Sequence, residues 1–173
     1  MSLLDGKTIL VTGVANRWSI ASGIARALHA HGARLAFAYQ GERVKDEVQK
    51  HARDLGGGHV YECDVSSDTA VHALAESVKR DLGGLDGLVH SIAFVKKEDL
   101  EGKVYDTSRE GFALAMDVTA YSLIALVSAL REQLRDGASV MALTYYGATA
   151  IVPNYNVAGI SKAALEAIVR YLA

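Results

Sequence analysis

Short apolar segments typical of β-strands alternate along this sequence with longer segments in which apolar residues recur at helical spacing. The predicted strands are Thr8–Thr12, Arg34–Tyr39, His59–Cys63, Gly87–Ser91 and Ser139–Leu143. The predicted helices are Ile20–His31, Glu42–Leu55, Thr69–Leu82, Ser108–Leu134 and Tyr155–Ala173. Most of the strands are nearly continuous apolar runs, as expected when both faces of a parallel sheet are covered. The alternation predicts an α/β fold with a doubly wound, Rossmann-like parallel sheet.

The composition fits one soluble domain over residues 1–173. Half of the 173 residues are hydrophobic and the formal net charge is −2, which provides a core and no basic excess for nucleic acid. Cys63 is the only cysteine, which excludes an intrachain disulfide and favours a reducing compartment. The first residues lack the apolar core of a signal peptide, and the longest apolar tract, Leu123–Leu130, is too short to span a bilayer. We therefore expect a cytoplasmic protein that binds neither nucleic acid nor membrane.

The first β–α turn has the position of a dinucleotide-binding loop but not the G-x-G-x-x-G pattern, since no glycine lies between Gly13 and Gly23. Gly13 permits a tight exit from the strand. The backbone N–H groups of Ser19 and Ile20 lie at the predicted helix N-terminus, where they would hold a pyrophosphate. Gly23 would let the helix approach the sheet closely. The alternative is an ordinary loop with Ser19 as the helix N-cap.

Further candidate binding residues follow the next three strands, at the carboxyl ends where doubly wound sheets bind ligands. Gln40 is neutral and would hydrogen-bond the ribose hydroxyls of NADH, whereas Arg43 would accept the 2′-phosphate of NADPH, so NADH is predicted with NADPH possible. Asp64 is a candidate acceptor for the adenine amino group with Val65 beside the ring, or else a turn residue. The backbone that follows the fourth strand would contact ribose and nicotinamide at Ser91, Ile92 and Ala93.

Tyr155 and Lys162 are the candidate catalytic pair. Seven residues make about two helical turns, so both side chains share one face of the last helix, roughly 10 Å apart along its axis. Helical side chains lean toward the N-terminus, so the Lys162 amine would approach the phenol, favour phenolate and strengthen the hydroxyl as an acid. Such pairs also arise by chance. The histidines show no metal-ligand spacing, so no metal site is predicted.

The motifs that carry a family resemblance are Gly13 with Ser19-Ile-Ala-x-Gly23-Ile-Ala, Tyr39-Gln40, Cys63-Asp-Val65, His90-Ser-Ile-Ala-Phe94, Ser108-Arg-Glu-Gly-Phe112, Leu143-Thr-Tyr145, and Pro153-Asn-Tyr-Asn-Val157 through Lys162. Together they resemble the bacterial NADH-dependent enoyl-acyl carrier protein reductases, a divergent branch of the short-chain dehydrogenase/reductases. The resemblance covers essentially the whole chain, in order.

The spacing of the catalytic pair separates this family from its superfamily. Six residues lie between Tyr155 and Lys162, whereas ordinary members, including the β-ketoacyl reductases, have three. The longer spacing suits a proton donor that serves a thioester oxygen, which lies farther from the nicotinamide than a ketone oxygen would. The resemblance implies that Lys162 binds the nicotinamide ribose, that Tyr155 donates to the enolate oxygen, and that Tyr145 lines the same pocket.

The implied function is the reduction of the 2,3 double bond of 2-enoyl-acyl carrier protein with NADH in fatty-acid biosynthesis. The alternatives are another superfamily member, such as a β-ketoacyl reductase, or a non-catalytic nucleotide-binding fragment. The helix predicted over Ser108–Leu134, with a capping box at Thr107–Glu110, is apolar nearly all round. One of its faces would therefore meet a second subunit, and the resemblance implies a homotetramer.

Family members continue past Ala173 with further strands and a helical lid over the acyl chain. We therefore expect a sheet truncated after its fifth strand, with that strand left as an open edge. The native gene product is expected to be longer than this chain.

Overall fold

Five strands form one sheet in the order β3-β2-β1-β4-β5 in the computed structural model, which describes residues 2–173. The strands are β1 (Thr8–Thr12), β2 (Arg34–Tyr39), β3 (His59–Glu62), β4 (Leu85–His90) and β5 (Leu134–Ala142). The pairs β1–β2, β1–β4 and β2–β3 are parallel, with Leu10 opposite both Ala36 and Leu88. The predicted α/β Rossmann-like fold is confirmed, because the strand order reverses direction at β1 as in doubly wound sheets.

The helices are α1 (Ile20–Ala30), α2 (Glu42–Asp54), α3 (Asp68–Leu82), α4 (Arg109–Met116), α5 (Ser122–Leu130) and α6 (Asn156–Leu172). Helices α1, α2 and α3 pack on β1, β2 and β3. Leu10, Val11 and Phe37 in the sheet are completely buried. Each such side chain stabilises the fold by about 1.5–3 kcal/mol relative to an exposed one.

The predicted strands β1 and β2 match the structure residue for residue, but β5 begins five residues earlier than predicted. The predicted helix end at Leu134 is wrong, since α5 ends at Leu130. Leu130 and Leu134 continue the i, i+4 apolar spacing, which extended the helical pattern past its true end. The chain turns there because the Gln133 carbonyl accepts a hydrogen bond from Leu85 N–H at 2.7 Å, at the start of β4. This pairing makes the following residues a strand.

The helix termini correct one predicted cap. Gly83 ends α3 in the left-handed conformation, with a φ of +69°. The N-cap of α4 is Ser108, whose Oγ accepts from Gly111 N–H at 2.9 Å, so the capping box placed at Thr107 is one residue too early. Ser108 is also the residue whose backbone is extended, as an N-cap requires.

A π-helical turn, Asp117–Tyr121, joins α4 to α5. The continuous stretch Arg109–Leu130 has 22 residues and a mean hydropathy of 1.8, so by length and composition it could cross a membrane. Leu123, Leu126 and Leu130 on it are nevertheless completely buried within the protein. One face of the stretch therefore belongs to the core of the protein.

Two compact units divide the chain, and each is described by itself below. One comprises Met1–Ser91 and Val127–Met141 and contains the sheet with α1 to α3. The other comprises Ile92–Leu126 and Ala142–Ala173 and contains α4, the π-helical turn and α6. Within this second unit, α6 packs on α4 and on the π-helical turn.

Candidate active site

Gly13 lies at the reversal of strand order, where β1 and β4 end side by side. Its φ is +79°, and a Cβ there would overlap the Ser91 carbonyl, so only glycine fits. Thr12, immediately before it, donates its hydroxyl to the Val89 carbonyl at 2.9 Å and accepts from Ser91 N–H at 3.2 Å. Glycine at this position thus lets the backbone that follows β1 lie against the backbone that follows β4. In doubly wound sheets, this end of the strands at the switch in strand order is where dinucleotides bind.

The loop between β1 and α1 is organised by Asn16. Its Oδ1 accepts from Trp18 N–H at 2.8 Å, and its carbonyl accepts from the Ser19 hydroxyl at 2.8 Å. Ser19 is the N-cap residue by position, but its side chain makes no capping bond to α1. Ser19 N–H also points to Asn16, at 3.2 Å, so Ile20 rather than Ser19 offers the first helical N–H to an anion.

Gly23 does not mediate the predicted close approach of helix and sheet. A Cβ at this position would meet only Arg26 Nη2, at 3.9 Å, which is ordinary contact. The glycine therefore has no steric reason in this structure.

Gln40 and Asp64 are brought together by the pairing of β2 with β3. Cys63 N–H continues this ladder with a 2.7 Å bond to the Tyr39 carbonyl. The Asp64 Oδ1 accepts from Ser66 N–H at 2.9 Å and from the Ser66 hydroxyl at 2.7 Å, which supports its interpretation as a turn residue. The Ser66 hydroxyl is the largest influence that lowers the pKa of Asp64, and Gln40 contributes in the same direction.

Val65, the other residue predicted at the third strand end, is 8% exposed and belongs mainly to the core. The residues after β4 differ in exposure: Ser91 and Ile92 are half-buried, whereas Ala93 is exposed. Within the second unit, Phe94 is held by the π-helical turn, because Thr119 Oγ1 accepts from Phe94 N–H at 3.2 Å and lies 3.3 Å from its carbonyl. Ile92 and Ala93 therefore come immediately before a residue whose backbone is hydrogen-bonded to Thr119.

Lys162 is a buried lysine whose amine has one defined internal partner. The residue is 6% exposed, and Nζ donates to the Leu143 carbonyl at 2.6 Å. Burial lowers the pKa of Lys162, because the charged form loses hydration. The ammonium can make three bonds, so it retains donors for a hydroxyl-bearing ligand such as a ribose.

Tyr155 lies at the N-cap of α6, one residue before the helix, rather than within it as predicted. Its ring packs edge-on against Tyr145, with ring centroids 4.8 Å apart. Burial, with a smaller contribution from Tyr145, raises the pKa of Tyr155. This direction is opposite to the one expected from a neighbouring cation. The phenol is therefore protonated at neutral pH and can act as a hydrogen-bond donor.

Two glycines, Gly147 and Gly159, lie next to the Tyr155 ring. A Cβ on Gly147 would lie 2.8 Å from Tyr155 Cε1 and closer still to Cδ1. A Cβ on Gly159 would lie 2.6 Å from the Gly147 carbonyl oxygen. Both distances are too short for a real contact, so the ring position depends on the absence of a side chain at Gly147, and the Gly147 backbone depends on the absence of one at Gly159.

Several residues of this region were missed by the sequence analysis. The Thr144 hydroxyl donates to Glu166 Oε1 at 2.6 Å, one helical turn beyond Lys162. Two sequence signals pointed to this region: Gly147 with Gly159, and the triplet Asn154-Tyr-Asn156. Asparagine adopts left-handed backbone more readily than most residues, so the triplet indicates an unusual backbone around Tyr155. Tyr146, next to Tyr145, is 69% exposed.

Comparisons with known proteins identify the family to which the chain belongs. The family model described as "Enoyl-(Acyl carrier protein) reductase" matches residues 13–173. The enoyl-[acyl-carrier-protein] reductase [NADH] FabI of Aquifex aeolicus is 50% identical over 175 residues, covering 100% of this chain and 64% of its own length. The corresponding [NADPH] enzyme of Staphylococcus aureus is 44% identical over 172 residues, covering 98% of this chain and 67% of its own.

A solved structure gives the same result in three dimensions. The enoyl-acyl carrier protein reductase of Bacillus cereus, crystallised with NADP+ and indole naphthyridinone, superposes with a TM-score of 0.97 at 46% identity. The match covers 100% of this chain and 68% of that one. The chain thus spans about two thirds of the length of the relatives it matches. It belongs to the enoyl-(acyl carrier protein) reductase family.

Proposed function

We propose that this chain is part of an oxidoreductase that reduces the 2,3 double bond of 2-enoyl-acyl carrier protein with NADH in fatty-acid biosynthesis. The observation that carries the proposal is the pair formed by Tyr155 and the buried Lys162, with six residues between them in sequence rather than three. The names of the A. aeolicus and S. aureus relatives support the same reaction.

The residues at the end of the sheet fit a dinucleotide. Gly13 lies where β1 and β4 end side by side, at the switch in strand order where doubly wound sheets bind a dinucleotide. Ile20 N–H would bind the pyrophosphate, and Gln40 would hydrogen-bond the adenosine ribose. Asp64 would accept a hydrogen bond from the adenine amino group. When bound, NADH supplies the hydride.

Gln40 favours NADH, because it brings no positive charge to the ribose, and the name of the A. aeolicus relative points the same way. Arg43 is exposed on the first turn of α2, where its charge would suit the 2′-phosphate of NADPH, and the S. aureus relative is named for NADPH. A kcat/KM for NADPH tenfold above that for NADH would overturn the assignment.

Lys162 binds the nicotinamide ribose in this proposal. The Leu143 carbonyl fixes the amine, and the buried stem leaves it few conformations, so little entropy is lost when a ribose hydroxyl accepts its hydrogen bond. Tyr155 donates to the thioester carbonyl oxygen of the substrate, where negative charge develops as the β-carbon is reduced. A donor already oriented toward that oxygen stabilises the transition state more than the ground state.

Tyr145 supports Tyr155 in this proposal and lines the acyl pocket. Its edge contact restrains the Tyr155 ring, and about half of its own surface is exposed and available to a substrate. Ile92 and Ala93 would contact the nicotinamide and its ribose, next to the backbone that Thr119 holds.

The family resemblance also suggests a homotetramer in the cytoplasm. Phe112 and Tyr121, on the stretch Arg109–Leu130, are 42% and 50% exposed, although their neighbours are apolar and buried. Large apolar side chains in this position are suited to a subunit interface. Sedimentation equilibrium would test this, and a monomer at micromolar concentration would contradict it.

The reaction is tested by following NADH oxidation with a crotonyl thioester and, separately, with a 3-ketoacyl thioester. We expect turnover of the enoyl substrate, and preferential use of the ketone would indicate a β-ketoacyl reductase instead. Tyr155→Phe should lower kcat with little change in KM for NADH, whereas Lys162→Ala should impair both. NADH binding without any turnover would identify a nucleotide-binding module.

A further inference from the structure

Asparagines lie on both sides of Tyr155, and both have a positive φ, +58° at Asn154 and +31° at Asn156. Within residues 2–173 they are the only non-glycine residues with a positive φ. Such residues are uncommon and persist when the surrounding structure enforces them, often where a side chain must be held in one direction. The backbone on each side of the candidate proton donor is therefore constrained.

The Asn156 side chain ties the start of α6 to a separate turn of the chain, residues 100–102. Its Nδ2 donates to the Leu100 carbonyl at 3.0 Å and lies 3.4 Å from the carbonyls of Glu101 and Gly102. An amide nitrogen has two hydrogens, so it serves these three acceptors with one direct bond and one shared bond. A side chain without N–H donors at this position would leave these three carbonyls without this hydrogen-bond partner.

The 100–102 turn follows a residue, Asp99, that is hydrogen-bonded to the start of α4. Asp99, which precedes it, is 4% exposed. Its Oδ1 accepts from Ser108 N–H at 3.1 Å and from the Ser108 hydroxyl at 3.3 Å, at the N-terminus of α4. Gly111 in α4 has no room for a Cβ beside the Asp99 carboxylate. The Asn156 amide is thus anchored, through this turn, to the start of another helix.

We propose that Asn156 is a positioning residue for Tyr155: its amide clamps the first turn of α6 to the 100–102 turn and so fixes the direction of the phenol. The importance of that direction for turnover rests on the proposed reductase function. Tyr155 N–H donates to the Val152 carbonyl at 3.3 Å, near the distance limit of a hydrogen bond. The short loop before α6 therefore holds Tyr155 weakly from its N-terminal side, and the Asn156 clamp supplies the restraint on the other side.

Asn156→Asp is the sharpest test, because it preserves shape while replacing the donor by a carboxylate that repels the three carbonyls. We expect kcat with crotonyl thioester to fall tenfold or more, with KM for NADH within twofold of wild type. Glu101→Ala is the matched control, since that turn residue contributes only its backbone carbonyl to the clamp. Its kcat should stay within twofold of wild type.

Asn156→Gly separates the amide from the backbone, because glycine accepts the positive φ without a clamp. It should retain the folded melting temperature within a few degrees and still lose most of the kcat that Asn156→Asp loses. A wild-type kcat in Asn156→Gly would show that backbone conformation alone suffices and would overturn the proposal. Equal losses in kcat and NADH binding, accompanied by a large fall in melting temperature, would also overturn it, as a general structural defect.

A second readout does not depend on turnover. With 13Cζ-labelled tyrosine, the Tyr155 resonance is assigned by its loss in Tyr155→Phe. We expect this resonance to shift or broaden in Asn156→Asp and to stay unchanged in Glu101→Ala. If wild type reduces no enoyl thioester but the resonance moves as expected, the positioning role holds and the proposed reaction fails. An unmoved resonance in Asn156→Asp contradicts the positioning role whatever the activity.

Discussion

Replacing Gly147 by alanine should displace Tyr155 and slow the reaction without weakening NADH binding. The added Cβ would lie 2.8 Å from Tyr155 Cε1, whereas ordinary contact begins at 3.4 Å. The ring must therefore withdraw by at least about 0.6 Å, and the contact with Cδ1 is tighter still. Gly147 is not among the glycines with a positive φ, so alanine suits its backbone and the effect is purely steric.

The expected magnitude follows from the geometry of proton donation. A misplacement of about 1 Å in a reacting group can slow a reaction about 10²-fold. For a somewhat smaller shift we expect kcat to fall about 10- to 100-fold, which corresponds to about 1.4–2.7 kcal/mol in the activation free energy. KM for NADH should not change, because Gly147→Ala replaces none of the residues proposed to contact NADH, which include Gly13, Gln40 and Lys162.

A double-mutant cycle with Tyr155→Phe tests the reasoning directly. If Gly147→Ala acts by moving the Tyr155 hydroxyl, it should cost little more in a protein that already lacks that hydroxyl. Steady-state kinetics with crotonyl thioester supply the four rates, and melting temperatures confirm that each variant is folded. A kcat within twofold of wild type for Gly147→Ala, or an equal loss in both backgrounds, would refute the steric argument.

Three further predictions concern stability. Gly23→Ala should raise the free energy of unfolding by about 0.5–1 kcal/mol, because alanine has the higher helix propensity. Gly159→Ala should lower it by about 1–3 kcal/mol, because its Cβ would meet the Gly147 carbonyl at 2.6 Å. Urea unfolding measures both changes, and equal effects of the two substitutions would contradict the close packing at Gly159. Burial lowers the pKa of Lys162, so the unfolded chain binds more protons than the folded chain at pH values between that lowered pKa and the ordinary lysine pKa. The free energy of unfolding should therefore rise with pH in that window. Lys162→Met should lose this pH dependence, and an unchanged pH dependence would contradict the role assigned to Lys162. Burial by itself would raise the pKa of Asp86, but Thr8 N–H, Lys7 and Arg135 together hold it below its usual range. The ionised Asp86 should therefore stabilise the fold above its unfolded pKa, and this contribution should disappear as pH falls through the folded pKa. In melting experiments over a range of pH, Asp86→Asn should be less stable than wild type at pH 7 and should lose less stability as the pH falls.

The sequence was sufficient for the parts of the fold that depend on local pattern. Strands β1 and β2 were predicted to the residue, because continuous apolar runs between turn residues have few other solutions. The β5 boundary was not, because Leu130 and Leu134 share a helical spacing and only the pairing of Gln133 with Leu85 decides that the chain extends. The family was also readable from sequence, since its motifs occur in order and at fixed spacing.

The tertiary structure decided how the candidate site residues are held. No local pattern reveals that Lys162 donates to the Leu143 carbonyl, that Gly147 leaves room for the Tyr155 ring, or that Asn156 reaches the 100–102 turn. Each of these contacts joins residues that are distant in sequence or depends on the absence of a side chain. The pKa of Tyr155 shows the limit most clearly, because spacing to Lys162 predicted a lower value. Burial, which exists only in the folded chain, raises it instead.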